Sequence, residues 1–303
     1  MHTLTTLNIR DIKHLGMHLK CTESELIEFC TNPDPYYYKK DRIINNQLRP
    51  TATPIGKFRI VINRLQCLLD RIELPDYLHG GIKGHSNKTN AAYHIGKPAV
   101  INFDIKGFFP SITSKMVYRL FRKRLGCSTY VSDVLTGLVT LNGHLPQGSP
   151  TSTVVANLVI SPLANRLKIL SNKHNSDYGQ FVDDGTLSGP RYMGKLRKLI
   201  EKIIRQEGFE ASQKPHKRKT MYSNEEQIVT GIRVNKRLDV PKQKIDEIKK
   251  ELARFEQLPA DNLSPKEIAS LKGKIQYVAS LNKTRGHHFE KQLKKFQHTT
   301  KKT

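Results

Sequence analysis

With 303 residues the chain has room for one large domain or two ordinary ones. Its 51 Lys and Arg against 27 Asp and Glu give a formal charge of +24 and a pI near 9.9, so a polyanion is the expected partner. A hydrophobic share of 37% excludes a wholly disordered basic tail, and no run approaches the roughly 18 apolar residues of a membrane span. The best run, Val154 to Ala164, is interrupted by Asn157, Ser161 and Pro162. The N-terminus has no apolar signal core. Cys21, Cys30, Cys67 and Cys127 lack the paired spacing of a disulfide framework or a zinc site. A soluble, cytoplasmic, nucleic-acid-handling protein without a membrane partner is the expectation.

Residues 1–60 are polar and mixed, with Tyr36, Tyr37 and Tyr38 preceding Lys39, Lys40 and Arg42. Val100 to Ile105 alternates and is rich in β-formers, and Gly107 and Pro110 end the strand. Residues 114–125 read as a basic amphipathic helix and Ser152 to Leu170 as a second helix with an apolar face. Gln180 to Val182 and Thr186 to Ser188 flank Asp183-Asp184-Gly185, and Asp-Gly suits a tight hairpin turn. Ile228 to Val234 suggests two short extended segments. After residue 235 the pattern is helical. Ile245, Ile248, Leu252 and Phe255 share one face, and Ser264-Pro265-Lys266-Glu267 is a capping box ahead of Ile268, Leu271, Ile275 and Val278. The 236–303 segment carries 17 basic against 8 acidic residues. An α+β body over 1–235 with a basic helical subdomain over 236–303 is expected.

Carboxylates at two strand tips stand out from this basic background: Asp104 on one, Asp183 and Asp184 on the other. Magnesium takes carboxylate oxygens and keeps waters that substrate phosphates can replace. Two such ions clamp the attacking and leaving oxygens of an in-line displacement at phosphorus. The ordinary alternative is an Asp-Gly turn and a strand-end aspartate. A Gly/Pro loop, Leu145-Pro-Gln-Gly-Ser-Pro-Thr-Ser152, opens the intervening helix and lets backbone approach a nucleotide closely.

Phe103 to Ile112, Leu145 to Ser152 and Phe181-Val-Asp-Asp184 resemble, in order, the three palm motifs of reverse transcriptases. The resemblance covers roughly residues 55–300 and implies a right-hand polymerase fold: fingers and palm, with an antiparallel sheet flanked by helices, and a small helical thumb. It implies two Mg2+ ions held by Asp104, Asp183, Asp184 and the Ile105 carbonyl. Phe109 matches the aromatic that blocks a ribose 2′-hydroxyl, and Gln147 and Gly148 match the nucleotide pocket. Lys57-Phe58-Arg59 resembles the fingers element that sets an arginine on the triphosphate, as a guanidinium fork suits phosphate. The ordinary alternative for Arg59 is a surface charge on a strand. Lys39, Lys40, Lys57, Lys217 and Lys219 all remain candidates for the triphosphate lysine. Phe181 and Val182 depart from the commoner tyrosine and alanine.

Asn90-Ala-Ala-Tyr-His94 and Val229-Thr230-Gly231 resemble the two signatures of retron reverse transcriptases, and Gly80 to Ser86 is similar to the loop before the first. That resemblance implies an RNA-directed DNA polymerase that copies part of its own structured noncoding RNA. Synthesis starts from an internal guanosine 2′-hydroxyl and leaves a branched RNA–DNA hybrid, within an antiphage defence system. Asn90, His94, Val229, Thr230 and Gly231 are the candidates for RNA binding or priming; the ordinary alternatives are a helix-turn cap at Asn90, a packed histidine at His94 and a strand end at Val229-Thr230-Gly231. The partners implied are that RNA, its DNA product, deoxynucleoside triphosphates and a toxin or effector protein. The alternatives are a non-retron defence or group II intron-like reverse transcriptase, a basic RNA-binding scaffold, and a two-metal nuclease.

Overall fold

The first sixty residues, polar on average, hold more order than their composition suggests. In the computed structural model, which describes residues 5–44, 47–215, 217–257 and 264–299, Asp11 caps α1 (Ile12–Leu19) by accepting from His14 N. A Thr22–Glu25 capping box starts α2 (Glu23–Thr31). Each helix buries a narrow stripe: Ile12, Leu15 and Leu19 on one, Leu26 and Phe29 on the other. β1 (Tyr37–Ile44) and β2 (Gln47–Pro54) form an antiparallel hairpin with Tyr37 opposite Pro54. It runs directly into α3 (Gly56–Leu69), whose inner face is Phe58, Val61, Ile62, Leu65 and Leu69. Arg59 thus stands on a helix, not on a strand.

Ser86 caps α4 (Asn87–Ala92) with Thr89, so Asn90 is a helix-interior residue. β3 (Ala99–Asp104) is the expected strand. α5 (Phe108–Ser111), α6 (Ser114–Arg119) and α7 (Thr129–Val139) follow. The helix expected over 114–125 is regular only to Arg119 and finishes as a π-helical turn over 120–124. α8 (Thr151–Lys173) is by length and composition able to cross a membrane, against the expectation from run lengths. Its Val155, Leu158, Leu163 and Leu167 are wholly or almost wholly buried in the same core as Ile101, Phe103 and Leu187, so its apolarity serves packing. Pro162 cannot donate to the Leu158 carbonyl, and Arg124 Nη1 supplies the missing bond at 2.6 Å.

β4 (Asp177–Phe181), β5 (Asp184–Gly189) and, after α9 (Arg197–Gln206), β6 (Thr220–Tyr222) complete an antiparallel sheet in the order β4-β5-β3-β6. The hairpin is as expected but its turn is not. Phe181 pairs with Asp184, so Val182-Asp183 is the turn and Asp184-Gly185 already belongs to β5. A Cβ at Gly185 would overlap the Phe103 ring, which makes this glycine a close-approach residue rather than a turn residue. β7 (Ile228–Val229) and β8 (Ile232–Arg233) form a small hairpin. α10 (Lys242–Gln257), α11 (Pro265–Leu281) and α12 (Lys283–Thr299) pack around a core of their own built from Ile245, Ile248, Leu252, Phe255, Leu271 and Ile275. Of the 236–303 segment, 258–263 and 300–303 lie outside the described residues. An antiparallel sheet backed by helices, a β-hairpin ahead of it and a separate three-helix unit give the α+β class that the sequence leads one to expect.

Candidate active site

Register brings the carboxylates together. β3 and β5 pair with Asp104 directly opposite Asp184, and the turn that follows β4 carries Asp183 beside them. One ligand atom from each of the three lies within 4.8 Å of the others. Like charges directly opposite on a sheet are destabilising, so this arrangement is maintained against its own electrostatics. The Ile105 N–H donates to Asp183 O at 3.1 Å, which ties the end of β3 to the turn.

The turn itself is strained and braced. Val182 sits at φ +56°, unfavourable for a β-branched residue. Gln180 Nε2 donates to Val182 O at 2.9 Å, and Tyr178 OH donates to Gln180 Oε1 at 2.7 Å. From the other side Gly80 lies against the turn: a Cβ there would overlap the Val182 side chain and come within 2.6 Å of Val182 N. Gly80 is held in turn by buried Asn157 of α8, whose Nδ2 donates to its carbonyl at 2.7 Å. Sequence reasoning missed Gly80, Asn157 and Gln180 as parts of the site. The Gly80-Gly81 doublet was the available signal.

Lys217 Nζ donates to Asp104 Oδ1 and to Asp184 Oδ1, both at 2.9 Å, while Lys219 faces Glu225 at 4.0 Å. Geometry therefore separates the two lysines, and Lys217 is the one at the triad. Burial alone would lower the Lys217 pKa, but Asp184 and Asp104 outweigh it and raise the value. Burial, with like-charge repulsion from Asp184 and Asp104, pushes the Asp183 carboxyl from 3.8 up to about 7. Asp184 is raised by burial, against which Lys217 acts. A set of hard oxygen donors that already draws in one cation and raises its own proton affinity fits a divalent metal ion.

The folded-state value of Asp183 lies above its unfolded value, so its contribution to stability is whole below 3.8 and is lost as pH rises through about 7. Metal-free protein is expected to melt at a lower temperature at about pH 8 than at about pH 6. Asp183→Asn should flatten that slope in a calorimetric pH series, and a slope indifferent to the substitution would contradict the assignment.

The nucleotide-pocket candidates divide. Ala52 N donates to Gln147 O at 2.7 Å, docking the β1–β2 hairpin on the Leu145–Ser152 loop. Gly148, at φ +106°, has the Ala52 carbonyl and Thr53 Oγ1 each 3.3 Å from where a Cβ would stand. Phe109 is half-buried beside Phe108 on α5. Arg59 is exposed and forms no ion pair among the described residues. Lys57 is held by Glu25 and Lys39 by Asp34.

The signature residues divide between interior and surface. Asn90, His94 and Val229 are fully buried and present no atoms to an RNA. Asn90 and His94 pack on Gly179 of β4, where a Cβ would clash with the Asn90 side chain. His94 Nδ1 lies 2.7 Å from Ser188 Oγ on β5, and burial lowers its pKa to about 3, so it stays neutral. Thr230 and Gly231, both at positive φ, form the β7–β8 turn and remain accessible. A cavity of about 600 Å³ runs from Asp184 and Lys217 to Thr230 and Gly231.

No family model matches the chain. It is 31% identical over 241 residues to the retron Mx65 reverse transcriptase of Myxococcus xanthus, covering 72% of this chain and 54% of that protein. It is 36% identical over 148 residues to the retron Se72 reverse transcriptase of Salmonella heidelberg, covering 46% and 38%. Against the retron Ec86 reverse transcriptase of Escherichia coli it is 30% identical over 223 residues, covering 72% and 67%. The chain thus spans about half the length of the Mx65 relative and less of the Se72 one. Among solved structures, telomerase from Candida albicans with a fragment of telomeric RNA has a TM-score of 0.48 at 10% identity, covering 84% of this chain and 56% of that one. A foamy viral protease-reverse transcriptase with double-stranded DNA has 0.45 at 14% identity, covering 88% and 46%.

Proposed function

Because this chain belongs to the retron reverse transcriptases, we propose that it is an RNA-directed DNA polymerase that copies part of its own structured noncoding RNA. The observation that carries this reading is the gathering of Asp104, Asp183 and Asp184 at one point against their mutual repulsion. A non-catalytic scaffold has no use for such an arrangement. In this reading residues 1–235 form fingers and palm and 236–303 the thumb, and the protein acts in the cytoplasm.

Asp104, Asp183, Asp184 and the Ile105 carbonyl would hold two Mg2+ ions, which when bound supply Lewis-acid stabilisation of the transferring phosphoryl group. The remaining work falls to the chain. Arg59 binds the triphosphate, a role its exposed guanidinium at the start of α3 leaves open. Gln147 and Gly148 line the nucleotide pocket on a loop already docked on the fingers hairpin. Lys217, which Asp104 and Asp184 hold at the site, would be the cation within reach of phosphate oxygens there. Phe109 excludes ribonucleotides. Phe109→Ala should therefore admit ribonucleotides while leaving deoxynucleotide incorporation in place. If the ring is only packing, the substitution costs about 3–5 kcal/mol of stability, and both incorporations fall together with the melting temperature.

Priming from an internal guanosine 2′-hydroxyl, giving a branched RNA–DNA product, is the finer part of the reading. Such a hydroxyl reaches in-line geometry only if the surrounding RNA is clamped, a matter of positioning. Thr230 and Gly231, across the cavity from the triad, are the accessible members of the signatures for that contact. Asn90, His94 and Val229 support them from inside. Thr230→Ala should impair self-primed synthesis on the cognate RNA more than extension of an annealed DNA primer, and equal loss on both would remove the clamp from the account. The noncoding RNA, its DNA product, deoxynucleoside triphosphates and an effector protein of an antiphage system complete the set of proposed partners.

A further inference from the structure

The helix that carries the first signature touches two bodies at once. At its C-terminal end, Asn90 and His94 are buried against Gly179 of β4 and His94 reaches Ser188 of β5. At its N-terminal end the same helix meets α11: Lys88 Nζ donates to the Ser280 carbonyl at 2.9 Å, and the Asn87 side chain faces the Tyr277 hydroxyl. Asn87 also exchanges bonds with the second signature. Its Nδ2 lies 3.4 Å from Thr230 O, and Thr230 Oγ1 donates to the Asn87 carbonyl at 3.2 Å. Beneath these polar contacts lies an apolar cluster of Ala91, Val100, Met221, Val229, Ile232 and Val234. Leu281 of α11 packs against both this cluster and the core of the three-helix unit.

A third set of contacts leads to the chemistry. Thr89 Oγ1 lies 3.0 Å from His79 Nδ1, His79 N donates to Gln180 O at 2.8 Å, and the next residue is Gly80, the brace of the Val182-Asp183 turn. α4 thus stands in unbroken contact with α11 on one side and with the catalytic turn on the other.

We propose that α4 is a strut that fixes the distance and angle between the thumb and the Asp183 turn, with Asn87, Lys88 and Tyr277 as positioning residues at the joint. The inference rests on the polymerase reading and deepens it. Whatever RNA the thumb holds is delivered to the triad in a register set by α4, and this accounts for one signature being buried beside a helix whose Asn87 is bonded to the other. None of the three positioning residues forms a hydrogen bond or ion pair with the carboxylates among the described residues. Their loss should leave each chemical step intact and allow the thumb to wander between steps.

The test compares the full chain with Asn87→Ala/Lys88→Ala and with Tyr277→Phe. One arm needs no substrate: spin labels on α12 and on α9, in a background whose accessible cysteines are replaced, report the distribution of thumb-to-palm distances. A broader distribution in the double variant, at unchanged melting temperature, is expected, and Lys88→Arg should retain the narrow one. A second arm uses an RNA template with an annealed DNA primer and a nucleic-acid trap. Single-nucleotide insertion should keep its rate while nucleotides added per binding event fall several-fold. Insertion and processivity falling in proportion, or a distance distribution as narrow as wild type, would overturn the strut. Wild-type protein inactive on every RNA template would instead sink the polymerase reading, and the distance arm would still decide the mechanical claim.

Discussion

Asp183→Asn/Asp184→Asn protein will fail to extend a primer on an RNA template, with a rate lower than wild type by orders of magnitude, while melting at a temperature no lower than wild type at neutral pH. The two halves of this result share one cause. Asparagine keeps the size of aspartate and the β3–β5 register that sets residue 184 opposite Asp104, so the fold persists. It removes two charges from a site where burial and repulsion already push Asp183 up to about 7, so the metal-free protein is relieved of an electrostatic cost. Hard-cation binding depends on those same charges and is lost. Activity and stability moving in opposite directions is the pattern of a functional site, since a damaged core moves them together. Full extension by this variant would remove the assignment of the triad.

Gly80→Ala should lower the rate of nucleotide insertion by about a hundredfold, the loss associated with misplacing a reacting group by about 1 Å. The added methyl would meet Val182 N at 2.6 Å and the Phe181 carbonyl carbon at 3.2 Å. These are backbone atoms of the turn and cannot rotate away as a side chain can, so the turn must shift and carry Asp183 with it. Asn157 prevents the compensating retreat of residue 80 by anchoring its carbonyl. Gly273→Ala is the matched control, because a Cβ on that part of α11 enters open space. It should be neutral to slightly stabilising, by about 0.5–1 kcal/mol. Pre-steady-state insertion kinetics separates the outcomes, and a wild-type rate for Gly80→Ala would show that the brace does not hold the turn.

How far the sequence leads depends on how local the cause is. β3, the carboxylates at two strand tips, the apolar stripe of α10 and the Ser264–Glu267 capping box are read from neighbours in the chain, and each is present. The exact turn was not legible, because Asp-Gly has local turn preference while the reason Gly185 is a strand residue is the Phe103 ring on another strand. The order in residues 1–60 has local signals too: Thr22 and Glu25 make a capping box, and Ile12, Leu15 and Leu19 keep helical spacing. Choosing Lys217 over Lys219 required the tertiary structure, since both lie in one short basic run. Exposure was the hardest to foresee. The sequence allows Asn90 and His94 to be either RNA contacts or local and packed residues, and the tertiary structure decides: both are buried, because Gly179 leaves room for them against β4.

If this chain primes from an internal 2′-hydroxyl as proposed, the DNA it makes is joined to its own RNA through that hydroxyl. The most direct measurement is to purify the protein expressed from its native locus, recover the nucleic acid bound to it, and treat that material with a 2′–5′ debranching enzyme before electrophoresis and sequencing. The expected result is a single-stranded DNA of defined sequence, complementary to a co-purifying RNA, that changes mobility on debranching and is absent from the Asp183→Asn/Asp184→Asn protein. DNA whose mobility the debranching enzyme leaves unaltered, or RNA with no DNA attached, would contradict it.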